Sequence, residues 1–109
     1  MARRGDTLEL AVLGLLHENP LHGYELRKQL NLVLGWGRVL SYGSLYPALH
    51  RMQEKGWLTT EWRVVDGRRR KYYTLTKFGQ EVLGEQAAEW KIFLEQLHAL
   101  LGKGALGTE

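Results

Sequence analysis

Four consecutive cations follow an Asp-Gly pair in the second half of the chain: Asp66-Gly67-Arg68-Arg69-Arg70-Lys71. Asp-Gly between two runs of alternating residues signals a β-hairpin, so the segment is read as a tight turn carrying its charges outward. Cations held together in this way suit the neutralisation of nucleic-acid phosphates, with release of their counterions. A solvated surface turn would carry the same residues without that role, and the run alone leaves both readings open.

A second set lies upstream. A helix beginning near Ser41 or Ser44 would bury Leu45, Ala48, Leu49 and Met52 on one face. Its opposite face would present Ser44, Tyr46, Pro47, His50 and Arg51, with Ser41 and Tyr42 just before it. Hydroxyls and guanidinium groups can contact phosphates or base edges, and apolar rings can contact thymine methyls. Tyr46 could instead pack against the hairpin, and Tyr24 could bond a phosphate or fill core. Arg3 and Arg4 could reach into a minor groove or be an ordinary basic terminus.

A third set is apolar. Trp90, with Ala87 and Leu94 one helical turn to either side, could line a cleft that takes a flat aromatic ligand between two subunits. The same residues could simply pack a dimer seam.

Other chemistries lack their residues. The 109-residue chain has no cysteine, which removes disulfides, thiolate metal sites and Cys nucleophiles and fits a reducing cytoplasm. His17, His22, His50 and His98 lack metal-ligand spacing, so no metal or other cofactor is expected. Gly102-Lys103-Gly104-Ala105-Leu106-Gly107 matches G-x-G-x-x-G but follows a helix, not a strand, so no dinucleotide site is read there. No catalytic constellation stands out, and a non-enzymatic protein is expected. The apolar stretch Leu10–Leu16 is too short to span a membrane and has no cleavage signature of a secreted protein after it. Charge is uneven: residues 1–78 carry 13 basic and 7 acidic side chains, net +6, and residues 79–109 carry 2 and 5, net −3. An anionic partner would be drawn to the first part.

The elements that must position these residues follow from periodicity. Leu8, Ala11, Val12, Leu15 and Leu16 predict a helix over 7–18, with Leu10 and Leu13 making its other side apolar too. Asn19-Pro20 ends it. A second helix is expected over 22–34 with Leu26, Leu30, Val33 and Leu34 buried, broken by Gly35-Trp36-Gly37. The third helix should close at Gly56. Cap choice decides the fit of Pro47, which is comfortable if Ser44 is the cap and would kink the helix if Ser41 is. Alternation over 57–64 predicts one strand, Val65-Asp66-Gly67-Arg68 the turn, and Lys71–Leu75 the returning strand. Thr76 then caps a helix over 77–101 with a heptad-like seam of Leu83, Ala87, Trp90, Leu94, Leu97 and Leu101. Three helices, a two-stranded wing and a long helix make a mostly α winged helix-turn-helix, DNA-binding over 7–76 and dimerising over 77–101, with 102–109 a flexible tail. The expected homodimer interface is Leu10, Leu13, Leu83, Trp90, Leu94, Leu97 and Leu101.

The motifs then add up to a resemblance. His22-Gly23-Tyr24-Glu25-Leu26, Gly43-Ser44-Leu45-Tyr46-Pro47-Ala48-Leu49, Glu54-Lys55-Gly56-Trp57-Leu58 and Gly67-Arg68-Arg69-Arg70-Lys71-Tyr72-Tyr73-Thr74-Leu75-Thr76 with Gly79 closely resemble the PadR family of transcriptional regulators. The likeness runs over about residues 8–101. It implies a dimeric winged-helix repressor of stress, detoxification or efflux genes, or of its own gene, acting in the bacterial cytoplasm on inverted-repeat operators in double-stranded DNA. It further implies release by a small aromatic effector near Trp90, which falls where some short members place a tryptophan in a drug-binding cleft. Residues 31–41 carry no signature of the family. A winged-helix module that binds protein in place of DNA is the alternative.

Overall fold

The computed structural model describes the backbone of residues 3–34 and 39–102, and the side chains of those from Thr7 onward. The expected break at Gly35-Trp36-Gly37, the side chains of Arg3 and Arg4, and the tail after Gly102 lie outside the described residues. The elements in order are α1 (Arg3–Glu18), β1 (Leu21–His22), α2 (Gly23–Leu34), α3 (Tyr42–Glu54), β2 (Leu58–Val65), β3 (Arg68–Leu75) and α4 (Lys77–Gly102).

Apolar stripes on three helices and one end of the hairpin build a single core. Val12 and Leu13 of α1, Leu26 and Leu30 of α2, and Leu45, Leu49 and Met52 of α3 are fully enclosed. Leu16, Leu58, Tyr73, Leu75 and Val82 complete the cluster. Each enclosed aliphatic side chain contributes about 1.5–3 kcal/mol relative to exposure. All four residues predicted for the inner face of α3 are buried.

Two expected placements are corrected here. Leu13 is not available to a partner, because it is fully enclosed within one chain. The buried arc of α1 is Val12, Leu13 and Leu16, which turns Leu10 and Gly14 toward α4 instead. Val33 is 65% exposed, not buried. The inner stripe of α2 runs Gly23–Leu26–Leu30 and on to half-buried Leu34, and that four-residue spacing carries Val33 off its edge.

The hairpin also differs from expectation. The turn is confined to Asp66 and Gly67, with φ of 53° and 74°. Positive φ at both central residues is the signature of a type I′ turn, whose twist matches that of the strands. Val65 therefore pairs with Arg68, and the cations belong to β3, not to the turn. Charged residues have weak strand propensity, but the two-residue loop leaves them no other register. The sheet has three strands in the order β1-β3-β2, one more than the expected wing. The added strand, β1, pairs Leu21 with Tyr73 and His22 with Tyr72, and two residues are too few to show a period.

Lys55 caps α3 and Gly56 follows at φ 81°, as the expected glycine stop requires. Thr76 caps α4: its Oγ accepts from Gly79 N at 2.9 Å. Its hydroxyl hydrogen faces the carbonyls of Gly56 at 2.6 Å and Trp57 at 3.0 Å. That cap pulls the start of α4 against the α3–β2 corner so closely that a Cβ on Gly79 would run into the Trp57 carbonyl and Leu75 Cδ1. Gly79→Ala is therefore expected to destabilise the fold by roughly 1–3 kcal/mol, as overpacking does. Thermal melting checks this, and an unchanged midpoint would mean the corner yields freely.

Candidate nucleic-acid interface

Ser41 caps α3: its Oγ accepts from Ser44 N at 3.2 Å. Pro47 therefore lies inside the helix. Two α2 side chains aim this helix. Arg27 Nε donates to Leu40 O at 2.8 Å, and Asn31 Oδ1 accepts from Leu40 N at 2.7 Å. Both polar groups of one backbone position are thus held by α2, just before α3 begins. The Arg27 guanidinium then lies 4.5 Å from the Tyr42 ring centre, and Tyr42 stacks on Tyr46 at 5.5 Å.

The outer face of α3 presents Tyr42, Ser44, Tyr46, Pro47, His50 and Arg51 to solvent. Tyr46 is 44% exposed, and its hydroxyl abuts Gly23 at the start of α2. It also lies near the Tyr73 hydroxyl, whose pKa is raised by burial and, secondarily, by Tyr46. Tyr46 thus joins α3 to α2 and the sheet while keeping one side exposed. His50 pairs with Glu54 at 3.3 Å, which sets an acid on the same face.

On the wing, strand alternation sorts the charges onto two faces. Arg69 and Lys71 share a face with Trp62, Val64 and Tyr73, and Arg69 lies 4.6 Å from the Trp62 ring centre. Arg68 and Arg70 share the other with Val65, Arg63 and Tyr72. Beyond the short β1, the free edge of β3 faces the start of α2, and an open groove between them is lined by Tyr24, Arg68, Arg69 and Arg70. Residues far apart in sequence thus form one basic surface. Gly67 stays at the tip of the turn, with open space around it.

His22 and Arg70 adjoin this groove. Arg70 Nη1 lies 3.1 Å from His22 Nε2, and burial first, then the Arg70 charge, lowers the His22 pKa below its ordinary 6.5, with Glu25 opposing. The unfolded chain therefore binds this proton more readily, so stability falls as pH drops below about 6.5. The melting temperature is expected to be lower at pH 5.5 than at pH 7.5, with a smaller difference in His22→Asn. An equal difference in both proteins would mean other groups set it.

The apolar set is also brought together. Leu10 and Gly14 of α1 and Leu83, Ala87, Trp90 and Leu94 of α4 line one open groove of about 610 Å³, with Lys91, Glu95 and His98. Past Trp90, α4 leaves the core: Ile92, Phe93, Leu94, Leu97 and Leu100 are exposed, and Leu101 is half-buried. Trp90 meets Phe93 edge to face at 5.8 Å. Sequence reasoning missed His22, Arg27, Trp62 and Arg63 as parts of these surfaces. An alternating strand pattern marks Trp62 and Arg63, but no local signal marks the contacts of His22 or Arg27.

Among the described residues, no group of three or more His, Cys, Asp or Glu side chains is placed to hold a metal ion, and no helix is long and apolar enough to cross a membrane. Three helices, with the third aimed by the second, and a basic wing beside them define a winged helix-turn-helix protein. Comparison with known proteins makes the class specific. The family model of the PadR-like transcriptional regulators matches residues 12–85. Transcriptional regulator Rv3488 of Mycobacterium tuberculosis is 42% identical over 76 residues, covering 67% of this chain and 68% of that one. The negative transcriptional regulator PadR of Bacillus subtilis is 31% identical over 78 residues, which span 70% of this chain and 42% of its own length. A PadR-like regulator from Bacillus cereus has a similar structure, with a TM-score of 0.80 at 32% identity, covering 88% of this chain and 92% of that one. The chain belongs to the PadR family of transcriptional regulators, and is a regulatory protein and not an enzyme.

Proposed function

We propose that this regulator binds a pseudo-palindromic operator as a homodimer and represses transcription in the bacterial cytoplasm. In this reading α3 enters the major groove, with Ser44, Tyr46, Pro47, His50 and Arg51 near the bases and Ser41 and Tyr42 at its entry. Tyr24 and the wing cations Arg68–Lys71 then lie on the flanking backbone. The observation that carries it is the groove in which Tyr24 of α2 meets Arg68, Arg69 and Arg70 of β3, because a phosphate backbone needs cations gathered on one surface. Residues 7–76 act as the DNA-reading part and 77–101 as the dimerising helix, supported by the row of exposed apolar side chains on α4. Repression is supported by the Bacillus subtilis relative, a negative transcriptional regulator. The groove holding Ala87, Trp90 and Leu94 suits a small aromatic effector. Bound between two copies, such an effector would shift the distance between the two α3 helices and favour the form that does not fit DNA.

The test is fluorescence anisotropy with duplexes from upstream of the chain's own gene against scrambled duplexes at physiological salt. Specific binding is expected to be about 10³-fold tighter or more. The His50–Glu54 pair leaves Arg51 as the main free cation on the outer face of α3 among the described residues. That keeps a protein-binding module as the second reading, and absence of binding to any duplex at low salt would put it first.

A further inference from the structure

His22 stands between the two halves of the basic surface, and its hydrogen bonding is over-claimed. Its Nδ1 accepts from the Glu25 amide at 3.3 Å, capping α2. A backbone amide only donates, so Nδ1 must keep its lone pair, and the neutral ring carries its proton on Nε2. Arg70 Nη1 lies 3.1 Å from Nε2 and 3.5 Å from Nδ1. An atom that close to both ring nitrogens is off the axis of either lone pair, so the guanidinium sits against the ring and does not bond along its edge. Guanidinium also has no acceptor to offer. Two donors, Nε2–H and Nη1–H, therefore stand side by side, and no acceptor among the described residues faces Nε2.

We infer that His22 is a further DNA-contacting residue, whose Nε2–H and the Arg70 guanidinium take the same backbone phosphate beside Tyr24. This rests on the DNA-binding reading and deepens it. A phosphate oxygen satisfies both donors at once, with charge-assisted hydrogen bonds, and the groove lined by Tyr24 and Arg68–Arg70 adjoins it. The ring is held for the purpose. Tyr72 meets it edge-on at 5.3 Å and Tyr24 stacks at 6.3 Å. The charged and titratable groups around it are Arg70 and Tyr72 from β3, and Glu25 and Tyr24 from α2. The Glu25 carboxylate is engaged by Gln29 at 3.0 Å, one turn along the helix. The depressed pKa of His22 agrees with a neutral donor. The imidazole therefore adds a hydrogen bond to the phosphate without displacing a counterion.

His22→Asn separates this role from capping, because asparagine is among the best N-cap residues. With a duplex bound by the wild-type protein, His22→Asn is expected to lose about tenfold in affinity for each subunit on the DNA, the scale of one hydrogen bond to a charged group. Its salt dependence should stay as in the wild type, whereas Arg70→Ala should lower both affinity and slope. Binding by His22→Asn within twofold of wild type, while Arg70→Ala loses affinity, would leave His22 a helix cap and overturn the inference. Wild-type protein that binds no duplex would overturn the DNA reading itself. A readout independent of any variant is the imidazole 15N spectrum. It should show the Nε2–H form, with Nε2 shifting on duplex addition and Nδ1 unmoved. An Nδ1–H form would sink the inference.

Discussion

Replacing Arg68, Arg69 and Arg70 together by alanine is expected to weaken binding to every duplex by about a hundredfold to a thousandfold for each subunit on the DNA, with each charge-assisted contact worth roughly 1.5–3 kcal/mol. The estimate stays below three full contacts because the side chains are not equivalent. Arg70 lies against His22 and Arg69 covers Trp62, so part of each is already engaged within the protein. The dependence of log affinity on log salt should flatten by about 2–3 for each subunit on the DNA, the number of counterions its wing no longer releases. Preference for one sequence over another should survive, because phosphate contacts position a protein on DNA without reading bases. Anisotropy titrations at several salt concentrations check all three outcomes. An unchanged salt slope would take the wing off the DNA. All three side chains lie at the far end of the hairpin from Leu58 and Leu75, so the core should be unaffected.

If the proposed dimer forms through α4, Leu97→Glu should convert it to monomer at micromolar concentration. Light scattering or sedimentation would read the mass falling to the 12.5 kDa of one chain. Leu97 is 36% exposed in the single chain, beyond the part of α4 that packs on the core through Gly79 and Val82. A carboxylate there does little harm to one chain, but two brought together in an apolar seam lose several kcal/mol each in desolvation. The melting temperature of the monomer should then follow protein concentration no longer, unlike that of a dimer. Affinity for an inverted repeat should fall by about 10²–10⁴, because linking two recognition helices makes the second contact intramolecular. A variant that stays dimeric would mean that copies meet elsewhere.

Much of the architecture is legible in single stretches of sequence. Leu45, Ala48, Leu49 and Met52 mark the inner face of α3, and all four are buried. Asp66-Gly67 marks the turn, Gly56 the stop of α3 and Thr76 the start of α4, each because the relevant physics acts within a few residues. Resemblance to a family over several motifs did the rest, and the family model agrees. Errors came where two elements compete for one residue. Leu13 could face inward or outward on an α1 that is apolar all round, and only the positions of α2 and α3 decide that it is core. Val33 matched a helical stripe that the packing of α2 shifted toward Leu34.

Caps, turns and apolar spacing are set by neighbours along the chain, so they mark the four helices and the hairpin, though not the two-residue β1. The sequence by itself also determined that the charge of this protein is basic through residue 78 and acidic after it. Tertiary structure alone decided how the functional groups meet. The cations of β3 divide between two faces because Val65 pairs with Arg68. Arg27 and Asn31 aim α3 through the backbone of Leu40. His22 reaches Arg70 across 48 positions of sequence, a contact made only when β1 pairs with β3. A pattern of residue types records what each segment wants to bury, but not which distant polar group will stand beside it once the apolar faces have closed.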